Sequence, residues 1–315
     1  MEIGIFSSLE IKLVIFVIYK FIKIEMDIYK KLLKNRLGDI KYFFWLFKNW
    51  YNLRKDNYSL APFLRYWILY FLPRLFYGRN KSVDISKNII SRFKNSNLII
   101  PLPIKNKPYY YIGLRDSGDF YMFREVCVDD DYNVSRIKAG MVIVDAGAHI
   151  GTFTILLSKI VGEKGKVIAI EPERNSFLQL TKNLEINRIK NVIPINIGLS
   201  DFNGYKDFFV DKESACSSFI SNPDQQIVDK TNVKVKSLDS LLQEINIDKI
   251  DFLKIDTEGA ELEILKGSQQ TLIKNPQIKM AIAAYHYSEE KEEVFQYLKN
   301  LKFSPSISGD LVVVE

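Results

Sequence analysis

Cysteine and histidine are scarce in this chain of 315 residues, with two of each. Cys127 and Cys216 stand far apart and form neither a C-x-x-C pair nor a zinc spacing, so a disulfide framework is not indicated and the expectation is a reduced, cytosolic protein without a structural metal. Long apolar runs are missing too. Lys12 and Lys20 bracket only seven uncharged residues, Leu13 to Tyr19, well short of the roughly 20 needed to span a bilayer. Glu2 and Glu10 outweigh Lys12 ahead of that run and no small-residue cleavage site follows it, so the start does not read as a cleavable signal. Internal repeats, long low-complexity segments and nucleic-acid module signatures are likewise absent.

What is present divides unevenly along the chain. Residues 1–100 hold 18 Lys and Arg against 7 Asp and Glu, whereas the remainder holds 26 against 31. A capping box at Ser7 to Glu10 opens a predicted helix, and two more are expected over Ile40 to Lys55 and Ala61 to Phe76. The latter two interleave Trp, Tyr and Phe with Lys and Arg, as in KYFFWLFKNWY. That pattern suits a helix lying in an anionic membrane interface, and equally aromatics packed on one another or on a neighbouring domain. The proline-punctuated stretch Pro101 to Pro108 reads as a boundary, giving a basic helical extension over 1–100 and an α/β domain over 101–315.

The strongest chemical signal is MVIVDAGAHIGTFTI, Met141 to Ile155. A short apolar strand ends in Asp145, and Gly147 and Gly151 let the chain turn sharply and approach a ligand before a helix starts at Thr152. A second apolar strand, Lys166 to Ile170, ends in Glu171, an acid placed to accept hydrogen bonds from ribose hydroxyls. The pyrophosphate fingerprint G-x-G-x-x-G is not there. Asp145 would repel a pyrophosphate and favours a ligand carrying positive charge, such as the ammonium and sulfonium of S-adenosylmethionine. Strands expected near 141–145, 166–171, 192–198, 251–255 and 278–285 alternate with helices, which predicts a doubly wound, mostly parallel sheet. The segment Phe202 to Val235 interrupts the alternation with hairpin-like strands, and the last residues, LKFSPSISGDLVVVE, suit a terminal hairpin.

Four further motifs, EPERNSFLQLTKNLEIN (Glu171 to Asn187), NIGLSD (Asn196 to Asp201), VKSLDSLL (Val235 to Leu242) and DFLKIDTEGAELEILKG (Asp251 to Gly267), together resemble the FkbM-type methyltransferase family from about Tyr109 onward. The resemblance implies a seven-stranded Rossmann-like sheet and S-adenosylmethionine-dependent O-methylation of a hydroxyl on a sugar or related natural product. It also implies that the Asp145–Gly151 turn meets the methionine portion of the cofactor, Glu171 the ribose, and Ser200 with Asp201 the adenine. His149, inside the turn, either touches the cofactor or faces solvent as a helix-start residue. The stretch Asp116 to Tyr132 resembles a segment that covers the site, or its acids solvate a surface turn.

Transfer of a methyl group to an alcohol requires loss of the hydroxyl proton, which a carboxylate or imidazole can accept. Asp256 and His286 are the two candidates, with Tyr285 and Tyr287 as walls for a sugar ring. Lys254, in an otherwise apolar central strand, needs a partner if buried, and an acid of DTEGAE is the expected one. Asp256, Glu258 and His286 could form an oxygen-rich cation site, but no ligand spacing demands a metal. Two other readings remain: methylation of nitrogen or another small acceptor, and a membrane-associated scaffold whose methyltransferase domain is inactive.

The basic, aromatic extension generates a first prediction. The intact chain should bind anionic vesicles, more weakly at high salt but not to zero, because Trp45, Trp50 and Trp67 also bury apolar area. A vesicle co-sedimentation series in rising salt checks this. Failure of the full chain to bind, together with failure of a chain shortened to Leu98 to fold, would make the segment part of the core.

Overall fold

Apolar runs that end in an acid or a glycine become the parallel strands of the central sheet. A computed structural model describes residues 98–102, 110–115, 119, 132, 134–212, 216–220 and 226–315. The three helices expected before residue 97, Trp45, Trp50, Trp67 and Cys127 lie outside the described residues. No described helix is long and apolar enough to cross a membrane.

A hairpin comes first: β1 (Leu98–Leu102) pairs antiparallel with β2 (Tyr110–Leu114). The boundary expected at residue 100 therefore falls inside a strand. Among the described residues β1 pairs only with β2, so Pro101 has no second ladder to serve there.

The main sheet follows as β3 (Val142–Ala146), α1 (Thr152–Val161), β4 (Lys166–Ile170), α2 (Arg174–Ile186) and β5 (Val192–Ile195). A small sheet is then inserted, made of β6 (Gly198–Leu199), β7 (Gly204–Asp211) and β8 (Ile227–Lys236). The main sheet resumes with α3 (Leu238–Glu244), β9 (Phe252–Ile255), α4 (Glu261–Lys266), α5 (Gln269–Lys274), β10 (Lys279–Ala283), α6 (Glu290–Asn300), β11 (Ser306–Ser308) and β12 (Leu311–Val314). Its order is β11-β12-β10-β9-β3-β4-β5, with β12 antiparallel to both neighbours and the five strands from β10 to β5 parallel. This is the doubly wound, seven-stranded architecture expected from the strand–helix alternation. The stretch 192–198, expected as one strand, instead serves two sheets.

Strand alternation sorts the core. Val144, Ala146, Ile168, Leu253, Ile255, Met280 and Ile282 face α3 to α6, meeting Leu241, Ile264, Leu272, Val294 and Leu298. Ile143, Val167, Phe252, Ala281 and Val313 face the other way, onto Phe153, Leu157 and Val161 of α1. Residues with period two thus bury both faces of the sheet, as parallel strands require.

The strand order reverses beside β3, where chains leaving β3 and β9 diverge. There Gly147 runs against the backbone after β9: a Cβ on it would lie 1.8 Å from the Asp256 carbonyl oxygen, and its φ is +78°. Both constraints demand glycine. Gly147→Ala is expected to lower the unfolding free energy by about 2 kcal/mol or more. Urea unfolding of the two proteins measures this, and matching midpoints would contradict the close approach.

Candidate active site

Ligands of open α/β sheets bind beyond the carboxyl ends of the strands where the order reverses. A cleft opens at that place, lined among others by Gly147, His149, Glu171, Leu199, Phe208, Asp256, Thr257 and Glu258. The turn after β3 is held from behind. Gly147 and Ala148 both donate their N–H to the Ile170 carbonyl at 3.0 Å, and Gly151 donates to Ala148 at 2.9 Å. His149 (φ 50°) donates its N–H to Glu171 Oε2 at 2.8 Å.

Glu171 is the best-prepared residue of the cleft. Its other oxygen, Oε1, accepts the Glu173 N–H at 2.8 Å, so each carboxylate oxygen is held by one backbone donor. Burial pushes its carboxyl up to about 7, against the lowering effect of those two hydrogen bonds. An oriented carboxylate with lone pairs to spare at the wall of a cleft matches a vicinal diol such as that of ribose.

Asp145, expected to meet a cationic ligand, lies beneath the cleft instead. It is fully buried, accepts Thr154 Oγ1 at 2.6 Å and lies 3.3 Å from Lys254 Nζ. Asp145 and Lys254 are register partners on β3 and β9. Lys254 also donates to the Gly147 carbonyl at 2.8 Å and lies 3.8 Å from Asp256 Oδ2. Burial alone would depress the lysine, but Asp145 and Asp256 outweigh it and hold its pKa above the ordinary value. Lys254 therefore pairs with Asp256, the expected acid of DTEGAE, and more closely with Asp145.

Other expected site residues separate likewise. Gly151 caps α1 and packs against Leu180. Ser200 is buried and hydrogen-bonds Glu263 Oε2 at 3.1 Å, and Asp201 is exposed; neither lines the cleft, whereas their neighbour Leu199 does. His149 does not face solvent: its Nε2 lies 3.2 Å from both Arg115 Nη2 and Asp119 Oδ1. Arg115 also reaches Ser176 Oγ at 3.1 Å, and Glu173 Oε2 lies 3.7 Å from its Nη1. Arg115 thus ties the end of β2 to the first turn of α2, a role with no sequence signal beyond an arginine next to an acidic stretch.

Asp256 and His286 do come together. Tyr132 donates its hydroxyl to Asp256 Oδ2 at 2.5 Å, and its ring packs on Phe153. His286 Nε2 lies 3.9 Å from Asp256 Oδ1 and 3.8 Å from Glu258 Oε1, while Nδ1 lies 3.2 Å from Glu290 Oε2 and 3.6 Å from Glu261 Oε2. Burial would lower the imidazole, yet Glu261, Glu290 and Glu258 override it and raise its pKa to about 11. Glu261 is held below the usual carboxylate range against its own burial, chiefly by His286, and Glu290 is raised by its burial. With its proton so firmly held, His286 supplies positive charge rather than a base at neutral pH.

The family model for the methyltransferase FkbM domain matches residues 145–305. The chain belongs to the FkbM methyltransferase family. Its domain is accordingly an S-adenosylmethionine-dependent methyltransferase domain. Among curated relatives, methyltransferase sdnD of Sordaria araneosa is 27% identical over 176 residues, covering 47% of this chain and 68% of its own length. Hexuronic acid methyltransferase AglP of Haloferax volcanii is 28% identical over 169 residues, covering 53% of this chain and 65% of its own. The crystal structure of methyltransferase FkbM from Methylobacillus flagellatus aligns with 18% identity and a TM-score of 0.42, covering 62% of this chain and 53% of that one. The chain thus spans about half to two thirds of the length of these FkbM and other methyltransferase relatives.

Burial of Glu171 sets a testable pH dependence. Its carboxyl titrates near 7 in the folded protein against 4.5 ordinarily. Between those values the folded state keeps a proton that the unfolded chain has lost, so stability falls as pH rises through this window and stays lowered above it. Glu171→Gln removes that burden and should stabilise the cofactor-free protein by up to about 3 kcal/mol at pH 8, with the gain shrinking toward pH 4.5. Thermal melts at the two pH values check it. A gain that fails to grow with pH would count against the buried-carboxylate account.

Proposed function

We propose that this protein methylates a hydroxyl of a saccharide or lipid-linked glycan with S-adenosylmethionine, at the cytoplasmic face of a membrane. The observation that carries the reading is the convergence of Glu171 and Asp256 on one cleft at the switch point of the sheet. The likeness to AglP, whose name gives a hexuronic acid as its substrate, supports a sugar acceptor. So do Tyr285 and Tyr287, which remain exposed on either side of buried His286 and offer flat apolar faces to a pyranose ring. The N-terminal hundred residues are assigned the membrane contact, and residues 101–315 the catalysis.

S-adenosylmethionine supplies an electrophilic methyl group when bound. Glu171 would hold the ribose hydroxyls through the remaining lone pairs of its two anchored oxygens. Gly147 and Leu199 leave room for the rest of the nucleoside. Asp256 accepts the proton of the attacking hydroxyl, and the buried Lys254 steadies its charge. With the methyl group passed to the acceptor oxygen as an ether and S-adenosylhomocysteine as the co-product, Asp256 would release the accepted proton to solvent.

Two substitutions separate binding from chemistry. Glu171→Ala should weaken S-adenosylmethionine by about 1.5–3 kcal/mol, roughly 10- to 150-fold, in calorimetric titration. Asp256→Asn should leave that affinity nearly unchanged while slowing S-adenosylhomocysteine release on a saccharide acceptor by about 10²–10⁴. A folded wild-type chain that binds no cofactor would instead favour the inactive scaffold. Turnover on amines but not on sugars would favour N-methylation.

A further inference from the structure

Four carboxylates converge on one imidazole. Asp256, Glu258, Glu261 and Glu290 each place an oxygen within 3.9 Å of a ring nitrogen of His286, and all but Glu258 are buried. One protonated ring faces all four acids, and among the described residues Lys254 reaches Asp256 as well. The two sides of the ring also differ. Nδ1 is held by Glu290, which also accepts the His286 backbone N–H at 2.8 Å. Nε2 has no hydrogen-bond partner although the side chain is only 8% exposed, and it points between Asp256 Oδ1 and Glu258 Oε1.

Those two separations, 3.9 and 3.8 Å, are too long for hydrogen bonds. They suit ligands of one ion: two atoms each bound at about 2.2 Å to a common cation lie roughly 3–4.4 Å apart. One ligand atom from each of Asp256, Glu258 and His286 lies within 4.8 Å of the other two. A carboxylate holding the far nitrogen is the usual outer partner of a metal-bound imidazole, because it fixes the ring and directs the other nitrogen inward. Buried polar atoms left without partners call for such an explanation, and Glu261 Oε2 and Glu290 Oε1 are in the same condition on the far side of the ring.

We infer that Asp256, Glu258 and His286 bind a divalent cation of the Mn²⁺ or Mg²⁺ type beside the cleft, the ion displacing to solvent the proton that His286 Nε2 carries when no ion is bound. Two oxygens and one nitrogen form an open, three-point set that favours Mn²⁺. Asp256 and Glu258 both line the cleft, so an ion held between them would be open to an acceptor hydroxyl. Bound to the ion, that hydroxyl becomes more acidic and gives its proton to the second oxygen of Asp256. The inference rests on the methyltransferase reading of the same cleft but requires only that the ion bind.

The test uses the untagged full chain and Mn²⁺ alone, following loss of the free-ion signal by electron paramagnetic resonance. One ion per chain is expected, displaced by excess Mg²⁺. Glu258→Gln, on a half-buried turn, and His286→Gln should each weaken Mn²⁺ at least tenfold. S-adenosylmethionine titration of the same samples reports whether each variant retains its fold; where His286→Gln does not, Glu258→Gln decides. No Mn²⁺ bound by the wild type, or undiminished binding in Glu258→Gln, overturns the site. Cofactor binding without Mn²⁺ binding removes the ion and leaves the methyltransferase, whereas Mn²⁺ binding without cofactor binding does the reverse.

Discussion

The ion pair between Asp145 and Lys254 constrains everything around it. Both charges are buried in the middle of the sheet, on the face that carries the α1 contacts, and a charge in that position is tolerated only when paired and hydrogen-bonded. Loss of one member of such a pair commonly costs about 3–5 kcal/mol. Thr154 hydrogen-bonds one oxygen of the aspartate from α1 and Lys254 faces the other, while the Ala146 and Gly147 carbonyls accept from the lysine. The pair therefore joins β3, β9, α1 and the glycine turn at one point, directly under the cleft. Asp256, two residues beyond Lys254, takes its electrostatic setting from the same ammonium.

Much of this was legible from the residues. Apolar runs ending in Asp145, Glu171 and Asp256 located three strands to within a residue or two, because burial on both faces leaves few places for such runs to go. Gly147 announced its turn because no other residue fits against the Asp256 backbone. Side-chain direction was the part that could not be read. Asp145 sits one residue before the turn and alternation turns it into the sheet, so the acid expected at the ligand is an acid for Lys254. Ser200 is turned toward Glu263 in the same way. Arg115 and Tyr132 were missed because their partners, His149, Glu173 and Asp256, are distant in sequence and nothing local marks the contact.

The site is also electrostatically divided. At the cofactor end, Glu171 is one carboxylate held by backbone donors, with Arg115 near enough to temper it. At the other end, among the described residues, four acids surround His286, and the imidazole holds its proton because of that negative charge. The sequence motif DTEGAE packs three of these acids into six residues. Only the fold shows that Glu290, from the start of α6, completes the ring of charge.

The glycine turn has its own bearing on what the cleft admits. Its amides point inward: those of Gly147 and Ala148 go to Ile170, that of His149 to Glu171 and that of Gly151 to Ala148. In nucleotide sites built to grip phosphate, such amides point outward and form a nest for oxyanions. This turn has spent its donors on holding two strands together, and the wall it presents is carboxylate. The hydrogen bonds that close the fold therefore leave the amides of Gly147, Ala148, His149 and Gly151 no share in gripping a diphosphate.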